Sequence, residues 1–167
     1  DSVGPCVGFI GAGNYASRIL IPAFKEAGAV LDTIVTSGGI SGVHHGNKNQ
    51  FVTASADTSD IWYNDKINTV SIVTRHDTHA QLVVDGLNSG KNIFVEKPLA
   101  LTLSDLEEID EAYHHANKSN TARLMVGFNR RYAPHVIKMK ELLDNLRSPK
   151  SIIMTVNAGE IPGEHWV

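Results

Sequence analysis

Short apolar runs of strand length alternate along the chain with longer segments whose apolar positions recur at helical spacing. The first run, Cys6 to Ile10, predicts a buried strand, and the segment from about Tyr15 to Ala27 predicts a helix. Pro22 lies inside that helix and lacks a backbone donor, so we expect a kink or a restart there. The apolar positions predicted to be buried on this helix are Ile19, Leu20, Ala23 and Phe24.

The rest of the chain continues the same alternation. Gly28 is expected to end the first helix, and residues 31–36 predict the second strand. The stretch from Ser37 to Asn49 contains four glycines and few apolar anchors, so we expect it to be the loosest loop of the domain. Further strands are predicted at 51–54, 69–74, 92–96, 123–128 and 150–158, with helices after Asp57, at 79–89, at 102–116 and after Pro134.

Strands separated by helical crossovers imply an α/β fold, a Rossmann-type doubly wound parallel sheet with helices on both faces. The helix predicted at 102–116 also has a capping-box pattern, because Thr102 and Ser104 each precede an acid by three residues. In doubly wound sheets ligands bind at the carboxyl ends of the strands. Polar motifs at those ends are therefore the first candidates for a functional site.

A glycine-rich turn directly follows the first strand. Residues 11–16 have the sequence Gly-Ala-Gly-Asn-Tyr-Ala and match the pattern G-x-G-x-x-A. The first glycine of that pattern allows a tight turn, the second lets the backbone approach a pyrophosphate, and the small third residue lets helix and strand pack closely. We predict a dinucleotide-binding turn, with a purely structural turn as the alternative. Its proposed cofactor-binding residues are Gly11, Gly13, Asn14, Tyr15 and Ala16.

The end of the second strand lacks the acid that often holds the ribose 2′-hydroxyl of NAD. Thr36 and Ser37 are found there instead, and we assign both to the cofactor site. Small hydroxyl residues do not repel a 2′-phosphate, so NADP is permitted, with Lys48 or a nearby histidine as a candidate for reaching that phosphate. The alternative is that NAD binds here without an acid to hold its ribose 2′-hydroxyl. The cofactor is therefore predicted to be NAD or NADP.

Three later strand ends also carry unusual polar residues. Residues 74–79 have the sequence Thr-Arg-His-Asp-Thr-His, residues 96–98 Glu-Lys-Pro, and residues 127–132 Gly-Phe-Asn-Arg-Arg-Tyr. Together with the glycine turn, and in this order, these motifs resemble the Gfo/Idh/MocA family of oxidoreductases. The resemblance covers nearly the whole chain, and Glu-Lys-Pro after a strand is its most specific part.

The resemblance implies that Lys97 is catalytic, because the lysine of this motif reaches the nicotinamide ribose and the reacting hydroxyl of the substrate. Oxidising a secondary alcohol requires a group that holds the hydroxyl and stabilises developing negative charge, and a protonated lysine can do both. A surface lysine paired with Glu96 is the alternative; Glu96 is also assigned to the cofactor site. The resemblance further implies a cis Lys97–Pro98 bond.

Family members often have Thr-Pro-Asn after the fourth strand, followed by a histidine. Thr74 and His79 match that pattern, whereas Arg75 and His76 depart from it. The resemblance places all four residues beside the cofactor. The two histidines could also form a metal pair, but no cysteine or carboxylate cluster of ligand spacing accompanies them, so no metal site is predicted.

Asn129 and Arg130 end the sixth predicted strand, and the resemblance places them at the nicotinamide end of the cleft. A polar hinge between domains is the alternative. The resemblance also implies two domains: an NAD(P)-binding domain at residues 1–129, and the beginning of a substrate and dimerisation domain, incomplete and of α+β type, at residues 130–167.

In the family that second domain carries an Asp-x-x-x-His motif, whose histidine usually acts as acid and base. No such motif occurs after residue 130, because His165 has no aspartate at that spacing. We therefore expect a dehydrogenase fragment that is inactive alone, from a homo-oligomeric parent acting on a sugar, sugar-nucleotide or cyclitol. Residues 13–16 and 157–166 also resemble a subgroup in which this module follows a zinc-dependent alcohol-dehydrogenase-like domain.

Composition narrows the classes of partner. Fifteen basic and eighteen acidic residues give a net charge of −3, which argues against nucleic acid or an anionic membrane as the main partner. Cys6 is the only cysteine, and no apolar run approaches the roughly 20 residues that span a bilayer, so we predict a cytoplasmic protein. The competing function is a non-catalytic dinucleotide-binding sensor or regulatory module, which would not need Lys97. A nucleotide-sugar binder without redox chemistry is a further alternative.

Overall fold

The computed structural model describes residues 4–119, 122–155, 157 and 159–160, without the side chains of 39–41 and 119. The chain divides between Phe128 and Asn129 into two compact units. The first unit contains a six-stranded parallel sheet in the order β3-β2-β1-β4-β5-β6. Its strands are β1 (Cys6–Ile10), β2 (Val30–Val35), β3 (Thr53–Ser55), β4 (Thr69–Ile72), β5 (Asn92–Val95) and β6 (Leu124–Val126).

Helices connect the strands. The first unit has a π-helical segment (Ala16–Leu20), a 3-10 turn (His76–Thr78) and the helices α1 (Ile21–Glu26), α2 (Gly39–Asn49), α3 (Ser59–Trp62), α4 (His79–Asn88) and α5 (Leu103–Ser119). The second unit has a 3-10 turn (Asn129–Tyr132) and α6 (Pro134–Asp144). In the part of the chain that the structure describes, no helix combines the length and apolar character needed to cross a membrane.

The core lies on both sides of the sheet, as expected because successive strand residues point to opposite faces. Val7 and Phe9 of β1 pack with Ile21 of α1 on one side. Ile10 of the same strand belongs to a second cluster with residues of α4 and α5, such as Val83. The strand order reverses at β1, between β2 and β4. This arrangement confirms the predicted doubly wound α/β fold.

The first helix departs from its predicted face. Of the four positions predicted to be buried, Ile19 and Ala23 are exposed, and Leu20 and Phe24 are only half-buried. The expected irregularity at Pro22 is the cause: the missing proline N–H is accompanied by a π-helical turn, in which the Ile21 N–H bonds to the Ala16 carbonyl. The additional residue in that turn rotates the helix, so Ala16 and Ile21 face the core instead.

The prediction of a loose loop from Ser37 to Asn49 is wrong, because residues 39–49 form α2. Its glycines allow close packing. A Cβ at Gly42 would lie 2.7 Å from the Thr36 hydroxyl oxygen, and one at Gly46 would lie 3.2 Å from Ala54 Cβ. The helix can approach β2 and β3 only where side chains are absent.

The strand predicted at 150–158 is also wrong for residues 150–155, which have no sheet pairing. A strand needs a neighbour for its backbone N–H and C=O groups, and the described part of the second unit offers only helical elements. Val156 and Ala158 lie outside the described residues.

Buried polar groups bond to one another at the amino edge, where the parallel strands begin. Asp32 is 7% exposed, and its Oδ1 accepts hydrogen bonds from Thr33 Oγ1 at 2.8 Å and Asn64 Nδ2 at 3.0 Å. Lys91 is 6% exposed and donates from Nζ to the Asn64 carbonyl at 2.8 Å. Burial lowers the pKa of Lys91. We call Asp32, Thr33, Asn64 and Lys91 the amino-edge cluster.

Candidate functional site

A cleft of about 860 Å³ lies at the opposite, carboxyl edge of the first unit. Residues at the ends of four neighbouring strands, β1 to β4, line it together with the first turns of α4. We call it the carboxyl-edge cleft. Its lining residues are Ile10, Gly11, Ala12, Gly13, Val35, Thr36, Ser37, Ala56, Thr58, Val73, Thr74, Arg75, Asp77, Thr78, Gln81 and Leu82.

The two glycines of the turn have different surroundings. Gly11 has φ +100°, and a Cβ there would lie 2.6 Å from the Val73 carbonyl oxygen, so the fold itself requires glycine. Its N–H donates to the Val35 carbonyl at 2.8 Å. A Cβ at Gly13 would meet nothing within 4 Å, although Gly13 lines the cleft. The fold therefore does not require glycine at position 13. A ligand that approaches the backbone closely there would require it, because a Cβ would occupy the same space.

The last three residues of the glycine pattern, Asn14, Tyr15 and Ala16, lead into the helix and are not lining residues of the cleft. Asn14 accepts a hydrogen bond at its carbonyl from Ser17 Oγ at 3.3 Å, and Tyr15 is 40% exposed. Ala16 is 2% exposed, as close packing of helix and strand demands. Backbone N–H groups at the start of a helix favour a negatively charged ligand in front of them.

The end of β2 brings Thr36 and Ser37 to the cleft. The Thr36 hydroxyl donates to the Gly38 carbonyl at 2.8 Å, so towards a ligand it can only accept. Ser37 is exposed. Lys48 lies in the last turn of α2, about 13 Å along the helix axis from its start beside the cleft.

The end of β4 brings Thr74 and Arg75 to the cleft and fixes them through Thr78. Thr78 Oγ1 donates to the Arg75 carbonyl at 2.8 Å, so its 2.7 Å contact with Thr74 Oγ1 is a bond that Thr74 donates. The Arg75 guanidinium lies 3.9 Å from the Asp77 carboxylate, and both side chains are largely exposed. These two supply the charges among the lining residues of the cleft.

His79 lies behind the cleft and does not line it. Its side chain is fully buried, with Nδ1 2.7 Å from the Pro98 carbonyl oxygen and Nε2 3.3 Å from the Thr74 carbonyl oxygen. His76 is half-buried, with its ring centroid 5.7 Å from that of His79. Within residues 4–119 and the other described ranges, no three His, Cys, Asp or Glu side chains are grouped as a metal site.

Glu96 and Lys97 follow β5 on the same edge, two strands from β1 and therefore about 10 Å away. Neither is a lining residue of the cleft. The Lys97–Pro98 bond is cis, as expected, and the Lys97 side chain is exposed. Glu96 Oε1 is buried without a hydrogen-bond partner among the described residues, and a Cβ at Gly127 would lie only 2.8 Å from it.

Burial raises the pKa of Glu96 above its usual value. A hydrogen bond from the Lys97 backbone and electrostatic interactions with Lys97 and His79 oppose this change without cancelling it. A carboxyl group with a raised pKa at a strand end is a frequent mark of a functional position.

Asn129 and Arg130 belong to the second unit, where they begin the 3-10 turn and are exposed. Their assignment to the nicotinamide end of a cofactor stays a prediction.

Sequence reasoning missed several residues of the cleft. Ala56 and Thr58 follow β3, whose predicted position ended one residue early, and neither was among the predicted site residues. Gln81 and Leu82 lie one turn after Thr78 in α4, and that three- and four-residue spacing could have indicated a shared face.

The sheet order and a glycine turn at the end of β1 define a dinucleotide-binding α/β domain. Residues 6–128 match the oxidoreductase family with an NAD-binding Rossmann fold, Gfo/Idh/MocA, and the chain belongs to that family. NAD or NADP is accordingly its cofactor. The open space at Gly13 and the strand-end hydroxyl groups fit such a ligand.

Sequence relatives agree with this family. The chain is 30% identical to Oxidoreductase P35 of Formosa agariphila over 83% of its own length and 42% of that protein. It is 27% identical to an inositol 2-dehydrogenase/D-chiro-inositol 3-dehydrogenase of Lactiplantibacillus plantarum, over 89% of the chain and 41% of that protein. The chain thus spans about two fifths of the length of these relatives.

Solved structures of similar fold include a "probable dehydrogenase" from Thermotoga maritima, with a TM-score of 0.76 and 27% identity over 83% of this chain and 40% of that one. Another is a levoglucosan dehydrogenase in complex with NADH and levoglucosan. Its TM-score is 0.74 at 25% identity, over 85% of this chain and 40% of that one.

Proposed function

We propose that the chain is the cofactor-binding part of an NAD(P)-dependent dehydrogenase acting on a hydroxyl or carbonyl of a sugar, sugar-nucleotide or cyclitol. The observation that carries the proposal is the unfilled space at Gly13, in a cleft lined by four strand ends. The substrate class is supported by the relatives named as inositol dehydrogenases and by the levoglucosan dehydrogenase.

The cleft offers a suitable group for each part of the adenosine half of the cofactor. The backbone around Gly13 and the start of the following helix would hold the pyrophosphate. Thr36 and Ser37 would face the adenosine ribose. Ala56 and Leu82 supply apolar surface for a base, with polar side chains of α4 beside them.

The nicotinamide half would extend towards Glu96 and Lys97. The bound nicotinamide supplies a hydride acceptor or donor, and the protein must supply the rest. The Lys97 ammonium is exposed on this edge, where it can hold the substrate hydroxyl and stabilise negative charge on its oxygen. Asn129 and Arg130 are assigned to the same end.

Residues 130–167 would begin the domain that completes the substrate pocket and joins the subunits of the parent. The chain alone would then bind cofactor but turn over little or no substrate.

Titration of the chain with NADH and NADPH, followed by nicotinamide fluorescence, tests the proposal. We expect saturable binding of at least one cofactor, and about tenfold or greater weakening in Gly13→Ala, whose Cβ would occupy the space needed by the pyrophosphate. Gly4→Ala is the matched control, because Gly4 lies far from the cleft and a Cβ there meets only the Gly28 carbonyl at 4.0 Å. Absence of saturable binding, or unchanged binding by Gly13→Ala, would contradict the proposal.

A further inference from the structure

The buried His79 ring connects two loops that carry other site residues. One ring nitrogen faces the carbonyl oxygen of Thr74, a residue that lines the carboxyl-edge cleft. The other faces the carbonyl oxygen of Pro98, the residue after Lys97. His79 begins α4, so the helix holds the loops after β4 and β5 together through this one side chain.

The chemistry of imidazole determines which contact is dominant. Both neighbours are carbonyl oxygens and can only accept, whereas neutral imidazole has one N–H. The 2.7 Å contact with Pro98 requires the proton on Nδ1. In the neutral ring Nε2 then faces the Thr74 carbonyl oxygen at 3.3 Å as a second acceptor, and this contact becomes a hydrogen bond only when both nitrogens are protonated. The ring therefore donates from Nδ1 to the carbonyl of Pro98, the residue after Lys97.

Full burial removes His79 from direct contact with a ligand in the cleft. We propose that His79 is a positioning residue, which fixes the Pro98 carbonyl and thereby sets the place of the Lys97 ammonium relative to the cleft. This inference rests on the proposed function. It replaces the expected contact between His79 and the cofactor by an indirect role.

The backbone around Thr74 supports this role. The hydrogen bonds from Thr74 to Thr78 and from Thr78 to the Arg75 carbonyl fasten the β4 loop to the residue directly before His79. The β4 loop and α4 thus form one firm support, from which the His79 ring reaches to the β5 loop. Loss of the ring would release the β5 loop while leaving these hydroxyl contacts intact.

A comparison of two ligands separates positioning from general stability. NADH contains the nicotinamide half, which Lys97 would contact, whereas ADP lacks that half and needs only the glycine turn and the β2 and β3 ends. We expect His79→Leu to weaken NADH binding by about fivefold or more while ADP affinity changes less than about twofold. His79→Asn keeps a short-reach donor for the Pro98 carbonyl and is expected to recover most of the NADH affinity.

A double-mutant cycle with Lys97→Ala identifies the residue through which His79 acts. In the Lys97→Ala background, His79→Leu should cause no further loss of NADH affinity in isothermal titration calorimetry of the whole chain. Equal losses for NADH and ADP, or an undiminished loss in that background, would overturn the inference. If His79→Leu does not fold, His79→Asn is put through the same cycle, and partial loss confined to NADH supports the role.

Failure of the proposed function gives a different result, because the unsubstituted chain would then bind neither ligand. Amide NMR spectra decide the inference in that case. A shift of the Lys97 amide in His79→Leu that His79→Asn reverses supports it, and an unchanged Lys97 amide overturns it.

Discussion

The two edges of the sheet differ in how far their polar groups are hydrogen-bonded within the protein. At the amino edge, Asp32 and Lys91 are buried and bonded to neighbours within the cluster. At the carboxyl edge, Gly13 faces open space and Glu96 Oε1 has no partner among the described residues. The polar groups of the amino edge satisfy one another's hydrogen bonds and contribute to stability. At the carboxyl edge, hydrogen-bonding capacity is left unsatisfied among the described residues. Such incompleteness lowers stability and is typical of sites that bind a ligand.

Gly11→Ala should give the largest effect, because Gly11 lies at the carboxyl edge and the fold itself requires glycine there. The strained positive φ and the approach to the Val73 carbonyl should lower the free energy of unfolding by about 3 kcal/mol or more. Urea unfolding followed by circular dichroism measures this value. Gly13→Ala is the internal control and should remain within about 1 kcal/mol of the unsubstituted chain. Similar losses in both variants would remove the distinction between the two glycines.

Asp32→Ala should have the next largest effect, confined to stability. It leaves the Asn64 amide and the Thr33 hydroxyl without their buried acceptor, which should cost about 2–3 kcal/mol in urea unfolding. The folded variant should bind NADH as tightly as the unsubstituted chain. Asp32→Asn retains one acceptor oxygen and should lose less. A loss of NADH affinity without a loss of stability would show that the amino edge takes part in binding.

Glu96→Gln should have the smallest effect, and its sign should be stabilising. Burial raises the pKa of Glu96 in the folded state above its unfolded value. The protonated carboxyl group therefore contributes to folding stability below the unfolded pKa, and this contribution is lost as pH rises through the folded pKa. At pH 7–8 the variant should therefore unfold at higher urea concentration than the unsubstituted chain. The difference should disappear as the pH falls below about 4.3. A destabilised variant at neutral pH would mean that the interactions of the carboxylate with Lys97 outweigh the cost of its burial.

Features of the fold that depend on local pattern could be predicted from the sequence. The bounds of β1 are confirmed, and so is the capping box, in which Thr102 and Asp105 exchange hydrogen bonds at 3.1 and 3.2 Å. The helix α2 could not be predicted, because the reason for Gly42 lies in its packing against Thr36 rather than in the neighbouring sequence.

The site shows the same division. The glycine turn and Thr74 could be placed on the cleft from motifs alone. Leu82 and Thr58 could not, since their presence depends on which strand ends are neighbours. The burial of His79 could not be predicted either, because its partner Pro98 is nineteen residues away in sequence.

The absence of a side chain at Gly42 has a consequence for the mouth of the cleft. The van der Waals contact between α2 and the Thr36 hydroxyl sets how closely the helix lies to the end of β2. A methyl group there would push α2 outward and carry Ser37, joined to its first turn, with it. The width of the cleft at Thr36 and Ser37 is thus set by Gly42, a residue that does not line the cleft.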